Sequence, residues 1–336
     1  MSRSTLACVH VRAAGAVIAL ALPVLALPYA TIHAQTAATK PTPAAAAKPT
    51  TAQPEARGDV IACRTNPRFI SSMKEFSSRS AFSTSELYKK GLVLIDNNST
   101  PPKQFQQPSW SAFGWLAGIH YDDKGNIYTV PAPRINVFDN KPEDQNRVLK
   151  VDTLTGEMKQ LTQLPSAAPV NEQNPYGALG VAFDCETRLL YVTSIAGSTR
   201  SKEVGRIFAI DPDTGAVKFT RDNVDAIGLH LFRRDGEKRV YYGRARDPEI
   251  WSVAVDKSGA FKGDARLEVS LEGMGPRGDD RARRINFTPT NEMIVWGIEF
   301  SVNLVAPTEK QETQYRFKFD VKEKRWVRQL DSPFQQ

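Results

Sequence analysis

A chain of 336 residues has room for one large domain or two average ones. Its formal net charge of +7, to which Arg3 and Arg12 contribute, suits solubility and a weak attraction to anionic surfaces. No basic module with interleaved stacking aromatics accompanies that charge, so nucleic acid is excluded as an expected partner.

In chain order, residues 1–34 have the form of a secretory signal. Arg3 and Arg12 flank the n-region, Ala13 to Leu27 is apolar, and Ile32-His33-Ala34 offers a small residue for cleavage before Gln35. The apolar run falls short of the roughly 20 residues a spanning helix needs, so cleavage is expected, with no integral membrane segment left behind. The bacterial periplasm or the extracellular space is the expected location. Residues 35–57 reduce to Ala, Pro, Thr, Lys and Gln with no aromatic residue, the composition of a disordered, partly polyproline linker. Residues 58–336 then make up the folded domain. Loss of the signal removes Cys8 and leaves Cys63 and Cys185, a plausible disulfide in an oxidising compartment. Two unpaired buried thiols are the alternative, and the long spacing carries no metal-site signature.

Beyond residue 110 the chain repeats a pair of phrases. The front phrase runs Gly118 to Tyr128 (Gly-Ile-His-Tyr-Asp-Asp-Lys-Gly-Asn-Ile-Tyr), Gly180 to Val192, Gly228 to Tyr242 and Ile285 to Gly297. The back phrase runs Arg147 to Leu161, Arg206 to Thr220, Glu249 to Leu267 and Tyr315 to Leu330, and Gly91 to Asp96 is a fifth copy of its beginning. Within them the side chains alternate at period two: Val148, Lys150 and Asp152 interleave with Leu149 and Val151. Turn signals such as Asp123-Lys124-Gly125-Asn126 and Pro212-Asp213-Thr214-Gly215 separate the paired strands. Each phrase is a hairpin, and front plus back gives a four-stranded unit. An Asp closes the third strand at 96, 152, 211, 256 and 320, an irregular spacing of roughly 45 to 65 residues that suits propeller blades. No amphipathic helix is present to cover these sheets, so they must pack on one another around an axis. The expectation is an all-β chain forming a β-propeller of five or six four-stranded blades, closed by an N-terminal strand.

The phrase Gly-Ile-x-Tyr-Asp-x-x-Gly-Asn-Ile-Tyr resembles the inner strands of NHL-type and SMP-30/gluconolactonase-like propellers, a superfamily that includes strictosidine synthase-like proteins. The likeness spans roughly residues 112 to 330 and rests on structural glycines and hydrophobics. For the lactonases it implies a divalent metal held by Glu, Asn and Asp, with Asn or Asp just before the glycine of certain inner strands. Here Ala117, Leu179, Ile227 and Arg284 stand at the matching positions. None supplies the oxygen donors a hard cation needs.

The loops leading into the inner strands, Trp110 to Ala117, Asn174 to Leu179, Val224 to Ile227 and Gly278 to Arg284, hold the candidate ligand residues. Trp110, Trp115 and Tyr176 can stack on a sugar or anchor a partner, or else pack between blades. Arg281 and Arg284, with neighbouring arginines, can take a carboxylate or phosphate. Asp225 and Asp279 are candidate carboxylates, and loop caps are the plainer alternative. His120 and His230 fall at equivalent places, where a histidine pair can ligate metal or shuttle protons, or simply pack. No nucleophile elbow or phosphate-cradling loop is present. Two functions remain open: an exported module that binds a protein, peptide or glycan through the channel mouth, and a divergent metal-dependent hydrolase or lactonase using Ca²⁺ or Zn²⁺.

Overall fold

The repeated phrases fold as the hairpins their alternation predicts. The computed structural model describes residues 63–84, 89–132, 140–169, 174–234, 236–301 and 312–329; the signal and linker expected over 1–57 lie outside them. Among the described residues no helix is long and apolar enough to cross a membrane.

The fold is a five-bladed β-propeller, the lower of the two expected blade counts. The first blade has three strands among the described residues, β1 (Ala81–Ser83), β2 (Val93–Asp96) and β3 (Lys103–Phe105). The second holds β4 (Leu116–Tyr121), β5 (Ile127–Pro131), β6 (Arg147–Val151) and β7 (Met158–Gln163). The third holds β8 (Ala178–Phe183), β9 (Leu190–Ser194), β10 (Arg206–Ile210) and β11 (Val217–Asp222). In the fourth are β12 (Ala226–Arg234), β13 (Glu237–Arg244), β14 (Glu249–Val255) and β15 (Phe261–Ser270). The fifth holds β16 (Arg281–Phe287), β17 (Glu292–Ile298), β18 (Thr313–Asp320) and β19 (Arg325–Arg328). Every blade is an antiparallel meander in sequence order, and β4, β8, β12 and β16 pack in succession as the inner strands.

Local chemistry sets the turns. Gly125 has φ +87°, which a residue with a Cβ rarely adopts, and Asp122 Oδ1 accepts N–H bonds from Lys124 (2.9 Å) and Asn126 (2.8 Å) beside it. The buried faces lie between neighbouring blades: Ile207, Ala209, Leu229, Val240 and Val253 join the third to the fourth, and Phe232, Ile285, Phe287, Val295 and Trp326 join the fourth to the fifth.

The first blade is held to the second by aromatic rings rather than by long strands. Trp110 is fully buried, with Phe69, Phe82 and Phe105 rings at 6.0, 5.6 and 5.5 Å, mostly edge-on, and its Nε1–H donates to Gly156 O at 2.6 Å. Cys63 and Cys185 form a disulfide across a Cα separation of 5.8 Å, which joins the N-terminal segment to the hairpin between β8 and β9.

Candidate functional site

The inner strands define the channel wall, and each carries a register shift near its start. The shifts fall between Leu116 and Ile119, Ala178 and Gly180, Ala226 and Leu229, and Ala282 and Arg284. A bulge takes a residue out of the ladder and re-aims its neighbours. Inner strands approach closely there: a Cβ added to Gly180 would stand 2.4 Å from Ile227 O, and one added to Gly228 would stand 2.4 Å from Arg283 O. The residue of the fifth blade equivalent to Ile227 is therefore Arg283. The alignment of phrases placed Arg284 there, one residue later, because the fifth blade has no glycine to anchor the phrase: Arg284 stands where Gly180 and Gly228 stand in the third and fourth. The conclusion about ligands is unchanged, since Ala117, Leu179, Ile227 and Arg283 offer no oxygen donor.

The carboxylates of the mouth are engaged by arginines. Asp225 is wholly buried; its Oδ2 accepts Arg246 Nε–H at 2.6 Å, and its Oδ1 accepts the Gly205 N–H at 3.0 Å and a close contact from Ser198 Oγ. Burial raises the Asp225 pKa against the opposing pull of Ser198 and Arg246. The same Arg246 donates to Arg200 O, Thr199 O and Lys202 O, at 3.0, 2.8 and 2.9 Å, so the pair fastens the loop between β9 and β10. Asp280, also wholly buried, receives Arg277 through both oxygens and the Tyr315 hydroxyl at 2.6 Å. Asp279 lies outside this arrangement, its side chain 62% exposed. Asp225 and Asp279 are thus not assembled as a pair, and the hard-cation site implied by the family resemblance does not fit these residues. Among the described residues no three His, Cys, Asp or Glu side chains converge.

Two of the aromatic candidates separate. Trp110 lies in the core between the first two blades, where no ligand reaches it. Tyr176 belongs to a buried apolar cluster with Ile195, Ile227, Ala245, Ile298 and Phe300, its ring 5.0 Å from Phe300, and desolvation raises its hydroxyl pKa. Its members stand at the starts of β8 and β12 and at the ends of β9, β13 and β17, so it forms a buried floor at the edge of the ring where the inner strands begin. Trp115 is half-buried, with its backbone held by Asn140: Trp115 N–H donates to Oδ1 at 2.8 Å, and Nδ2 donates to Trp115 O at 3.0 Å. Phe300, which completes the floor, carries no signal in the sequence because it follows an inner hairpin instead of preceding one.

The arginines of β16 stand beside this floor. Arg281 donates to Arg246 O at 3.1 Å and is largely covered. Arg283 and Arg284 are 46% and 49% exposed along the side chain and share the single carboxylate of Glu312, at 3.5 Å for Arg283 and in closer contact for Arg284. Arg284 also lies over the Trp296 ring, 4.7 Å from its centroid. Desolvation lowers the Arg283 pKa even though the side chain is half open to water.

The two histidines, at equivalent places on their strands, come together. His120 on β4 and His230 on β12 are buried, with ring centroids 5.7 Å apart. His230 Nδ1 lies 2.8 Å from Leu231 O; His120 Nδ1 lies 3.1 Å from Tyr121 O and 3.2 Å from Phe183 N. Both Nε2 atoms are buried without a hydrogen-bond partner.

No protein-family profile matches the sequence, and no curated protein does. Solved structures that resemble the chain include the Dos1 propeller, at 11% identity and a TM-score of 0.40, covering 67% of this chain and 51% of that one. The endo-arabinase of Bacteroides thetaiotaomicron is 14% identical with a TM-score of 0.39, covering 65% and 80%. BamB of Moraxella catarrhalis is 14% identical with a TM-score of 0.36, covering 73% and 62%. The chain thus spans about half the length of the Dos1 chain it matches. These likenesses are matters of overall shape and carry no activity across.

Proposed function

We propose that the protein is an exported binding module, acting in the periplasm or outside the cell, whose channel mouth holds an acidic protein, peptide or glycan. The observation that carries this reading is the distribution of charge around the mouth. Asp225 and Asp280 are consumed by Arg246 and Arg277 in closed ion pairs, whereas Arg283 and Arg284 are half-exposed and, among the described residues, share the carboxylate of Glu312. A wall on which two half-exposed guanidinium groups meet suits a ligand that presents carboxylates. On this reading, the likeness to NHL and SMP-30-like propellers carries the fold and leaves the lactonase chemistry behind.

Calorimetric titration with poly-glutamate and with polygalacturonate tests the proposal. One of the two polyanions should bind with an affinity that falls as salt rises, and Arg283→Ala with Arg284→Ala should weaken it about tenfold or more, equivalent to about 1.4 kcal/mol. Absence of binding by both polymers, or binding indifferent to the double substitution, sinks the reading.

A further inference from the structure

Glu312 stands between the two half-exposed arginines of β16 and divides its carboxylate between them. Its Oε1 lies 3.5 Å from Arg283 Nη1, and its Oε2 is in closer contact with Arg284 Nη2, so each guanidinium is met by one oxygen. A guanidinium carries its N–H donors in a planar fork and matches a carboxylate best through two parallel bonds. Glu312 therefore offsets one positive charge of the two and gives neither arginine the paired bond it is shaped for. Its backbone is fixed, because the next residue, Thr313, is buried, pairs with Gly297 in the sheet and accepts the Arg277 Nη2–H on its Oγ1 at 2.8 Å. The carboxylate is partly open to water and can leave the arginines by rotation about its own side-chain bonds.

We propose that Glu312 is a resident competitor, holding the place of a ligand carboxylate, and that the ligand which displaces it presents two carboxylates close together, one for each arginine. The inference rests on the reading of the mouth as a site for acidic ligands and narrows that class to closely spaced carboxylates. A tethered carboxylate competes at the high effective concentration of an intramolecular group. A ligand with a single carboxylate only exchanges one anion for another against that competitor. A second carboxylate leaves both guanidinium groups paired in their preferred geometry, so the site discriminates by the number of carboxylates within reach.

The test is calorimetric titration of the full chain and of Glu312→Gln with poly-glutamate and polygalacturonate, followed by competition with small acids. The polymer that binds the parent should bind Glu312→Gln about tenfold or more tightly, and Glu312→Ala should show the same gain. On the parent, tricarballylate, with carboxylates on adjacent carbons, should displace the polymer, whereas butyrate at the same carboxylate concentration should not. If the variants do not fold, that competition on the parent decides. A parent that binds while Glu312→Gln binds equally or more weakly overturns the competitor and leaves the mouth standing, as does butyrate competing as well as tricarballylate. A parent that binds neither polymer sinks the mouth itself, and the competitor with it.

Discussion

The Cβ that Gly228 lacks would meet Arg283 O at 2.4 Å, Arg283 C at 2.6 Å and Ala282 O at 2.8 Å, all of them backbone atoms of the next inner strand. A flexible side chain can swing aside, but a strand can yield only by moving the blade. Gly228→Ala should therefore cost about 2 to 3 kcal/mol, read from the urea midpoint, whereas Gly118→Ala, with nothing within 4 Å, should be nearly neutral. An unchanged midpoint in the first variant would refute the close approach. The glycines were legible in the sequence as members of a repeat, but which of them is crowded was not. Trp110 shows the same limit: its aromatic character is plain in the chain, while its burial depends on Phe69, Phe82 and Phe105, which approach only once two blades meet. Asp225 was readable as a carboxylate at a mouth, but its capture by Arg246 depends on an arginine 21 residues away, delivered by the turn between β13 and β14.

The outer hairpins explain why an Asp recurs at the end of each third strand. Asp152 Oδ1 accepts N–H bonds from Leu154 and Thr155 at 2.9 and 2.8 Å, Asp211 from Asp213 and Thr214 at 2.9 Å each, and Asp320 from Lys322 and Glu323 at 2.8 and 3.0 Å. The sequence displays this marker because the bond is local and needs no tertiary partner. For Asp152, Asp211 and Asp320 these backbone bonds hold the carboxyl below its ordinary value of 3.8. A depressed carboxylate stabilises the fold above its unfolded value, and that stabilisation disappears as pH falls through the folded value. Asp211→Ala should thus cost about 1 kcal/mol at neutral pH, a figure reduced for exposure, and the gap between variant and parent should close as pH drops below the ordinary value. Denaturant titrations across that range would show it, and a gap constant with pH would contradict the capping role. In the first blade β2 was legible as the fifth copy of the back phrase, whereas β1 and β3 were not, since three-residue strands give alternation little length in which to appear.

At the scale of the molecule, the disulfide closes a loop between residues 122 apart in sequence. In the chain-entropy description such a closure stabilises by about 5 kcal/mol, so Cys63→Ser and chemical reduction should each lower the denaturation midpoint by a similar amount. Reduction should then have no further effect on the Cys63→Ser chain; if it does, the stabilisation does not come from this bond. The pairing was foreseeable from compartment and count, and the five-blade total was not, because the first blade repeats only part of the phrase. The bond also determines how load travels. The chain leaves Cys63 toward the first blade, yet the covalent cross-link reaches the third directly at Cys185. A tug on the N-terminal side of Cys63 would be taken by the third blade, with the first two lying slack in the closed loop. An extension measured under force would then omit the length of that loop until a reductant released it.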